Sequence, residues 1–288
     1  MTRLPLPHSS AQAQPRHAIP PLACDAHIHI LDKRVDARTS NAAHAPVENY
    51  QQLQSLLGTQ RAVVIQPRPY GTDHRVTLDA IARLGLANAR GVGVIHPDIT
   101  DQALSQLHDG GIRGVRMSLY VPEHAAVSFD MLEALAHRVH ALGWHLQMHW
   151  TAEQIVERAP RLLRLPVTYV FDHLARLPVS HGTRHPAYAV VRELLQRGQA
   201  WVKLSCAYLN TALPAGQGYA DVHDIARAWV TLAPDRVVWG SDWPHVTEHH
   251  HKPDDSALLD LLHDWTGDAA LFKRVLVDNP ARLYGFDS

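Results

Sequence analysis

The chain has 288 residues, 46% of them hydrophobic and 19% charged, so it carries enough apolar material for one large core and shows no compositional sign of general disorder. A formal net charge of -1 leaves no basic footprint for nucleic acid, and no apolar run reaches the ~18 to 20 residues of a membrane span. Two cysteines, Cys24 and Cys206, are too few for a disulfide framework; with no continuous apolar stretch at the start to act as a signal peptide, a cytoplasmic setting is expected.

Residues 1–20 hold Pro5, Pro7, Pro15 and Pro20 among small polar residues without periodicity, which reads as a flexible arm. From there to residue 288 one pattern repeats: a short apolar run, a polar loop, then a longer stretch with helical spacing. The runs are Leu22–Ile30, Ala62–Gln66, Gly91–Ile95, Ile112–Leu119, Trp144–His149, Val167–His173, Ala200–Ser205 and Arg236–Asp242. Segments such as Thr77–Leu86, Phe129–Leu142, Ala187–Arg197 and Val222–Leu232 are long enough for the crossover helices that parallel strands require. Eight strand–helix units in 21–288 predict an α/β fold, a single-domain (β/α)8 TIM barrel, ahead of a doubly wound open sheet. The long stretches Leu31–Tyr50 and Leu177–Pro186 then fall on the face where active-site loops gather.

With 22 histidines in the chain, a His-x-His pair is weak evidence by itself. Position strengthens it. His27 and His29 end the first run, His149 the fifth, Asp172-His173 the sixth and Asp242 the eighth, so four strands direct imidazoles and carboxylates to one barrel mouth. Singly, each has a plainer reading, a loop histidine or, for Asp242, a helix cap. Together, His27, His29, His173 and Asp242 match the nitrogen and oxygen donors of a catalytic zinc site, and burying them without a metal or charge partner would cost desolvation energy. Arg116, toward the end of the fourth run, suits bidentate recognition of a carboxylate or sulfonate, with an inter-strand ion pair as its alternative. Arg176 lies over the same mouth, and Gln66 and Arg68 flank Pro67 at the end of the second run, all three as substrate contacts. Lys203 is either a mouth residue or a solvated charge, Trp243 either packing or a pocket wall. His249-His250-His251 cannot all face one ion and reads as surface.

Asp25-Ala26-His27-Ile28-His29, Gly114-Val115-Arg116, Phe171-Asp172-His173, Trp201-Val202-Lys203-Leu204-Ser205, Gly240-Ser241-Asp242-Trp243-Pro244-His245 and Asp278-Asn279-Pro280-Ala281-Arg282 together resemble the amidohydrolase-related branch of the amidohydrolase superfamily. Tyr70-Gly71-Thr72-Asp73 and Pro253-Asp254-Asp255 are similar to its lactonases, which act on 2-pyrone-4,6-dicarboxylate, sulfomuconolactones and sugar lactones. The resemblance implies a hydrolase of aromatic- or sugar-acid catabolism with a small lactone as its partner, and leaves a homo-oligomer open. His27, His29, His173 and Asp242 would be metal ligands, Asp242 and His173 catalytic, and His149 a substrate contact or further ligand. Arg116-Met117-Ser118 stands where a binuclear member would carry a carboxylated lysine, which implies one divalent ion, zinc or manganese. Metal use varies within this branch, so metal-free turnover stays open. Ala207-Tyr208-Leu209 stands where the pyrone enzymes would place another arginine, which argues against pyrone dicarboxylate itself. Alternatives are a lactone isomerase, a non-oxidative decarboxylase, or a barrel that binds a small molecule without chemistry; the intact ligand set argues against the last.

Overall fold

In the computed structural model, which describes residues 6–40, 43–214 and 216–287, eight strands run parallel in chain order. They are β1 (Cys24–Ile28), β2 (Arg61–Ile65), β3 (Ala89–Gly93), β4 (Ile112–Ser118), β5 (His145–His149), β6 (Thr168–Phe171), β7 (Ala200–Ser205) and β8 (Val237–Gly240). Helices follow each strand: α1 (Val47–Leu57), α2 (Arg75–Leu84), α3 (Asp101–Asp109), α4 (Leu132–His140), the short pair α5 (Ala152–Glu157) and α6 (Ala159–Leu162), α7 (Pro186–Gln196), α8 (Ala207–Asn210) with α9 (His223–Leu232), and finally α10 (Asp255–Thr266), α11 (Ala269–Lys273) and α12 (Asn279–Tyr284). The helices bury one stripe each; α2, for example, turns Val76, Thr77, Ala80 and Ile81 onto the sheet. The result is a single-domain TIM barrel.

Closure falls at the two motifs that drew notice in the sequence. Ile28 is bridged in parallel to Trp243, the Asp242 N–H donates to the His27 carbonyl at 2.8 Å, and the His29 N–H to the Trp243 carbonyl at 2.7 Å. Asp25 locks the seam from outside, its carboxylate accepting from the Ser241 N–H (2.9 Å) and hydroxyl (2.6 Å); burial pushes its pKa up to about 7. The seam is tight enough to demand glycine at 240, where a Cβ would lie 2.5 Å from the His27 Cβ and 2.8 Å from its nitrogen. Gly240→Ala is therefore expected to cost ~1–3 kcal/mol through overpacking, read as a lower urea midpoint. An unchanged midpoint would mean that the two strands can separate freely.

A bulge in β1 decides where its histidines point. Asp25 lies opposite Ala62 but Ile28 opposite Val64, so β1 has one residue more than β2 in that interval. Cys24 and Ala26 pack with Val63, Ile65, Val92, Val170, Trp201 and Val238 in a small inner cluster under Tyr284 and Phe286. The extra residue then re-phases the strand, and His27 and His29 meet the interior residues Asp172 and Asp242.

The strands stop earlier than their apolar runs. β6 ends at Phe171 rather than His173, and β8 at Gly240 rather than Asp242, because the chain turns left-handed: φ is 53° at His173, between 52° and 59° through Arg176, and 65° at Asp242. Cys206, after β7, has φ 56°. L-residues rarely adopt this conformation, and its concentration at one end of the barrel marks the functional face. Of the arm expected over 1–20, residues 1–5 lie outside the described residues. Residues 6–20 form no helix or strand but bond to the barrel: Ser10 N–H to Pro253 O (3.0 Å), Ser256 Oγ to Ala13 O (2.6 Å) and Arg16 Nε to Asp260 Oδ2 (3.0 Å). Among the described residues no helix is long and apolar enough to cross a membrane.

Candidate active site

Three donor atoms converge at the mouth. His27 Nε2 lies 3.3 Å from His29 Nε2, and Asp242 Oδ1 lies 3.2 Å from the first and 3.5 Å from the second. Two nitrogens on one zinc at ~2.0–2.1 Å in a tetrahedron sit about 3.3 Å apart, so the spacing fits a single divalent ion. Protonation fits as well. His29 Nδ1 faces the Ile65 carbonyl at 2.8 Å; a carbonyl can only accept, so the proton sits on Nδ1 and Nε2 presents its lone pair to the centre. Burial, reinforced by the Lys203 charge, drives the His27 pKa well below its usual value and keeps that ring neutral. For Asp242, burial alone would favour the acid, but the imidazoles of His29, His173 and His27 that surround it outweigh burial and hold the carboxyl well below the usual carboxylate range.

His173 reaches the same centre from beyond β6. Its Nδ1 pairs with Ser205 Oγ at 2.9 Å, its ring lies 5.0 Å from that of His27, and burial lowers its pKa to about 4. His149 stands behind it, with ring centroids 5.4 Å apart, Nδ1 on Ser118 Oγ at 2.9 Å and its ring stacked on Tyr120. Among the described residues His149 joins no cluster of converging donors, whereas His27, His29 and Asp242 do, as do His27, Asp172 and His173, and also His173, Cys206 and Asp242.

The arginines proposed for substrate are placed around this centre with partners of their own. Arg116 directs Nε and Nη2 to Asp172 Oδ2, both at 3.1 Å, while lining a narrow cleft with Gln66, Arg68 and Ser118. The amide of Gln66 braces the following loop, donating to Gly71 O at 2.5 Å and accepting from Thr77 Oγ1 at 3.2 Å. Arg68 is exposed at the rim, 3.4 Å from His124 Nδ1. Half-buried Arg176 lies over the Tyr120 ring and donates to the Tyr120 hydroxyl (3.0 Å) and to Leu209 O (3.1 Å). The three-histidine loop 249–251 is exposed, and Trp243 is fully buried with its indole N–H on Pro7 O, so it packs rather than walls the pocket.

Several residues of the site are ones that sequence reasoning did not assign. Lys203, read as a mouth residue or a solvated charge, is instead wholly buried: Nζ donates to Ala26 O (2.8 Å) and lies 3.4 Å from His27 Nδ1 and 3.9 Å from Asp172 Oδ1. Burial lowers its pKa to about 8. Asp172 is the anion of that network, and Gln147 adds a third donor to it at 3.1 Å. Tyr208 donates to Asp242 Oδ2 at 2.7 Å, and His245, held by Asp255 at 3.1 Å, backs the hydroxyl at 3.1 Å. The signal available for Tyr208 and Cys206 was their place just after β7, at the catalytic end of a strand.

Comparison with known proteins agrees with this geometry. A family model described as amidohydrolase matches residues 24–286. The chain is 34% identical over 284 residues to a 2-pyrone-4,6-dicarboxylate hydrolase of Comamonas testosteroni, covering 94% of this chain and 93% of that one. It is 33% identical over 281 residues to a 4-sulfomuconolactone hydrolase of Rhizobium radiobacter (93% and 91% covered). It is also 32% identical over 239 residues to a D-galactarolactone isomerase of Agrobacterium fabrum (82% and 80% covered).

Proposed function

Since the chain belongs to the amidohydrolase family, we propose that it is a metal-dependent lactonase that opens a small lactone bearing a carboxylate or sulfonate. The observation that carries this reading is the convergence of His27 Nε2, His29 Nε2 and Asp242 Oδ1 at 3.2 to 3.5 Å. These three residues, with His173, would hold one divalent ion, zinc or manganese. Such an ion supplies Lewis acidity and lowers the pKa of a water to ~7.

The chain's own residues then account for the proton. Oδ2 of Asp242 is occupied by the Tyr208 hydroxyl, which leaves Oδ1 to accept the proton of the attacking water. As the water oxygen bonds to the ring carbonyl carbon, the acyl C–O bond breaks, and Asp242 returns the proton to the departing alkoxide. Neutral His173 keeps a lone pair available at the centre, with Ser205 fixing its ring. Arg176, Arg68 and Gln66 would bind the acidic group, along with the edge of Arg116 left outside its Asp172 pair and His149. Several copies of these polar and cationic contacts on one face favour an anionic substrate over a neutral one.

A panel of muconate, sulfomuconate, pyrone and sugar lactones, followed by pH indicator with and without a chelator, tests the reading. Acid release that the chelator abolishes and added metal restores is the expected result. Acid release indifferent to the chelator would remove the metal from the mechanism. Loss of lactone without acid would favour isomerisation, and gas evolution a decarboxylase.

A further inference from the structure

The proposed metal triad is bordered by a second one that shares Asp242. His173, Cys206 and Asp242 each offer a donor atom, all within 4.8 Å of one another and all buried. Cys206 Sγ lies 3.8 Å from His173 Nε2. A thiolate at ~2.3 Å and an imidazole at ~2.0–2.1 Å on the same tetrahedral ion sit about 3.5 Å apart, so a small adjustment brings the two onto one centre. The backbone is arranged for this contact. Cys206 leaves β7 at φ 56°, a conformation costly for a non-glycine residue, and its neighbour Ser205 fixes Nδ1 of the same His173 so that Nε2 is the nitrogen turned to the sulfur. A structural cysteine needs neither feature; Cys24, the other thiol of the chain, sits in an ordinary strand conformation among apolar neighbours.

We infer that Cys206 is a metal donor, giving the centre a sulfur ligand on its β7 side beside the imidazoles and the Asp242 carboxylate. This rests on the metal-dependent reading above and sharpens it, because a thiolate selects thiophilic ions such as zinc, cobalt or cadmium over manganese and magnesium. The thiol donates to the Tyr208 hydroxyl at 3.5 Å, and that hydroxyl donates to Asp242. Binding replaces the S–H bond with a sulfur–metal bond and releases one proton to the buffer.

Metal-stripped full-length protein titrated with cobalt(II) tests the inference by absorption spectroscopy. The expected result is visible d–d bands accompanied by a near-ultraviolet thiolate-to-cobalt charge-transfer band. Cys206→Ser should lose the charge-transfer band and keep the visible ones, and its zinc affinity in a chelator competition should fall about tenfold or more while manganese affinity changes little. Cys206→Ala serves as a second variant, with circular dichroism to verify its fold. Visible bands without charge transfer, or a charge-transfer band that survives both variants, would overturn the sulfur ligand and leave the metal reading intact. No cobalt binding at all would overturn both.

Discussion

Asp242→Asn is expected to lower kcat about a thousandfold while the protein keeps its fold and melting temperature. The argument rests on what an amide can and cannot do in that position. Asparagine has the shape of aspartate, and its carbonyl oxygen can still accept from the Tyr208 hydroxyl, as Asp242 Oδ2 does at 2.7 Å. Its NH2 group would then face His29 Nε2, whose lone pair is free because the proton is held at Nδ1 by Ile65 O. Both ends of the amide are satisfied, so no buried polar group is orphaned and stability should hold. The variant cannot take a proton from water, and among the described residues no other unpaired carboxylate reaches the His27–His29 pair; Asp172 is enclosed by Arg116, Gln147 and Lys203. Metal content and kcat are measured on the same preparation, so that a lost ion is not mistaken for a lost base. Near-normal kcat would take the proton-transfer role away from Asp242.

How much of this was legible beforehand depended on which physical signal each residue leaves. His27, His29, His173 and Asp242 were legible because each closes an apolar run, and in a parallel barrel the end of a run fixes the mouth even when the strand stops two residues early. The left-handed turns at His173 and Asp242 left no trace in composition, since neither residue is glycine. Lys203 was misjudged because alternation separates water from core only when one face is wet. In a closed barrel with helices outside, both faces of β7 are buried, and a lysine in the run gives no hint of its side. The β1 bulge is likewise invisible in Asp25-Ala26-His27-Ile28-His29, where strict alternation alone accounts for two histidines on one side. Arg116 lies two residues before the end of β4, but its partner Asp172 is 56 positions away and meets it only through the interior of the barrel. Tyr208 entered the sequence reading only as a missing arginine, and its bond to Asp242 exists because α8 begins immediately after the turn at Cys206.

The interior network gives the largest expected stability effect. Asp172 is a single buried anion facing two buried cations, Arg116 at 3.1 Å and Lys203 at 3.9 Å, with Gln147 donating to it and His27 Nδ1 3.5 Å away. Asp172→Asn preserves the shape and one accepting oxygen but removes the carboxylate that the two cations share. Removing one partner of such a buried set costs ~3–5 kcal/mol, because desolvation of the remaining charge is no longer offset. Lys203→Met alone should cost less: Arg116 and Asp172 remain matched one to one, and the donation to Ala26 O, a contribution of ~1 kcal/mol, is lost together with the longer approach to Asp172. The double variant Asp172→Asn/Lys203→Met removes one charge of each sign, so it should be more stable than the sum of the two single losses predicts, with a coupling energy of ~1–3 kcal/mol in urea unfolding. Strict additivity would mean that the lysine and the aspartate do not sense one another despite sharing the barrel interior. The same variants report on the metal centre: without Asp172 the Nδ1–H of His27 loses the carboxylate that faces it at 3.5 Å, and with it the partner that orients the ring whose Nε2 would meet the ion. Asp172→Asn should therefore weaken metal binding ten- to a hundredfold, the range seen when a partner behind a ligating histidine is removed.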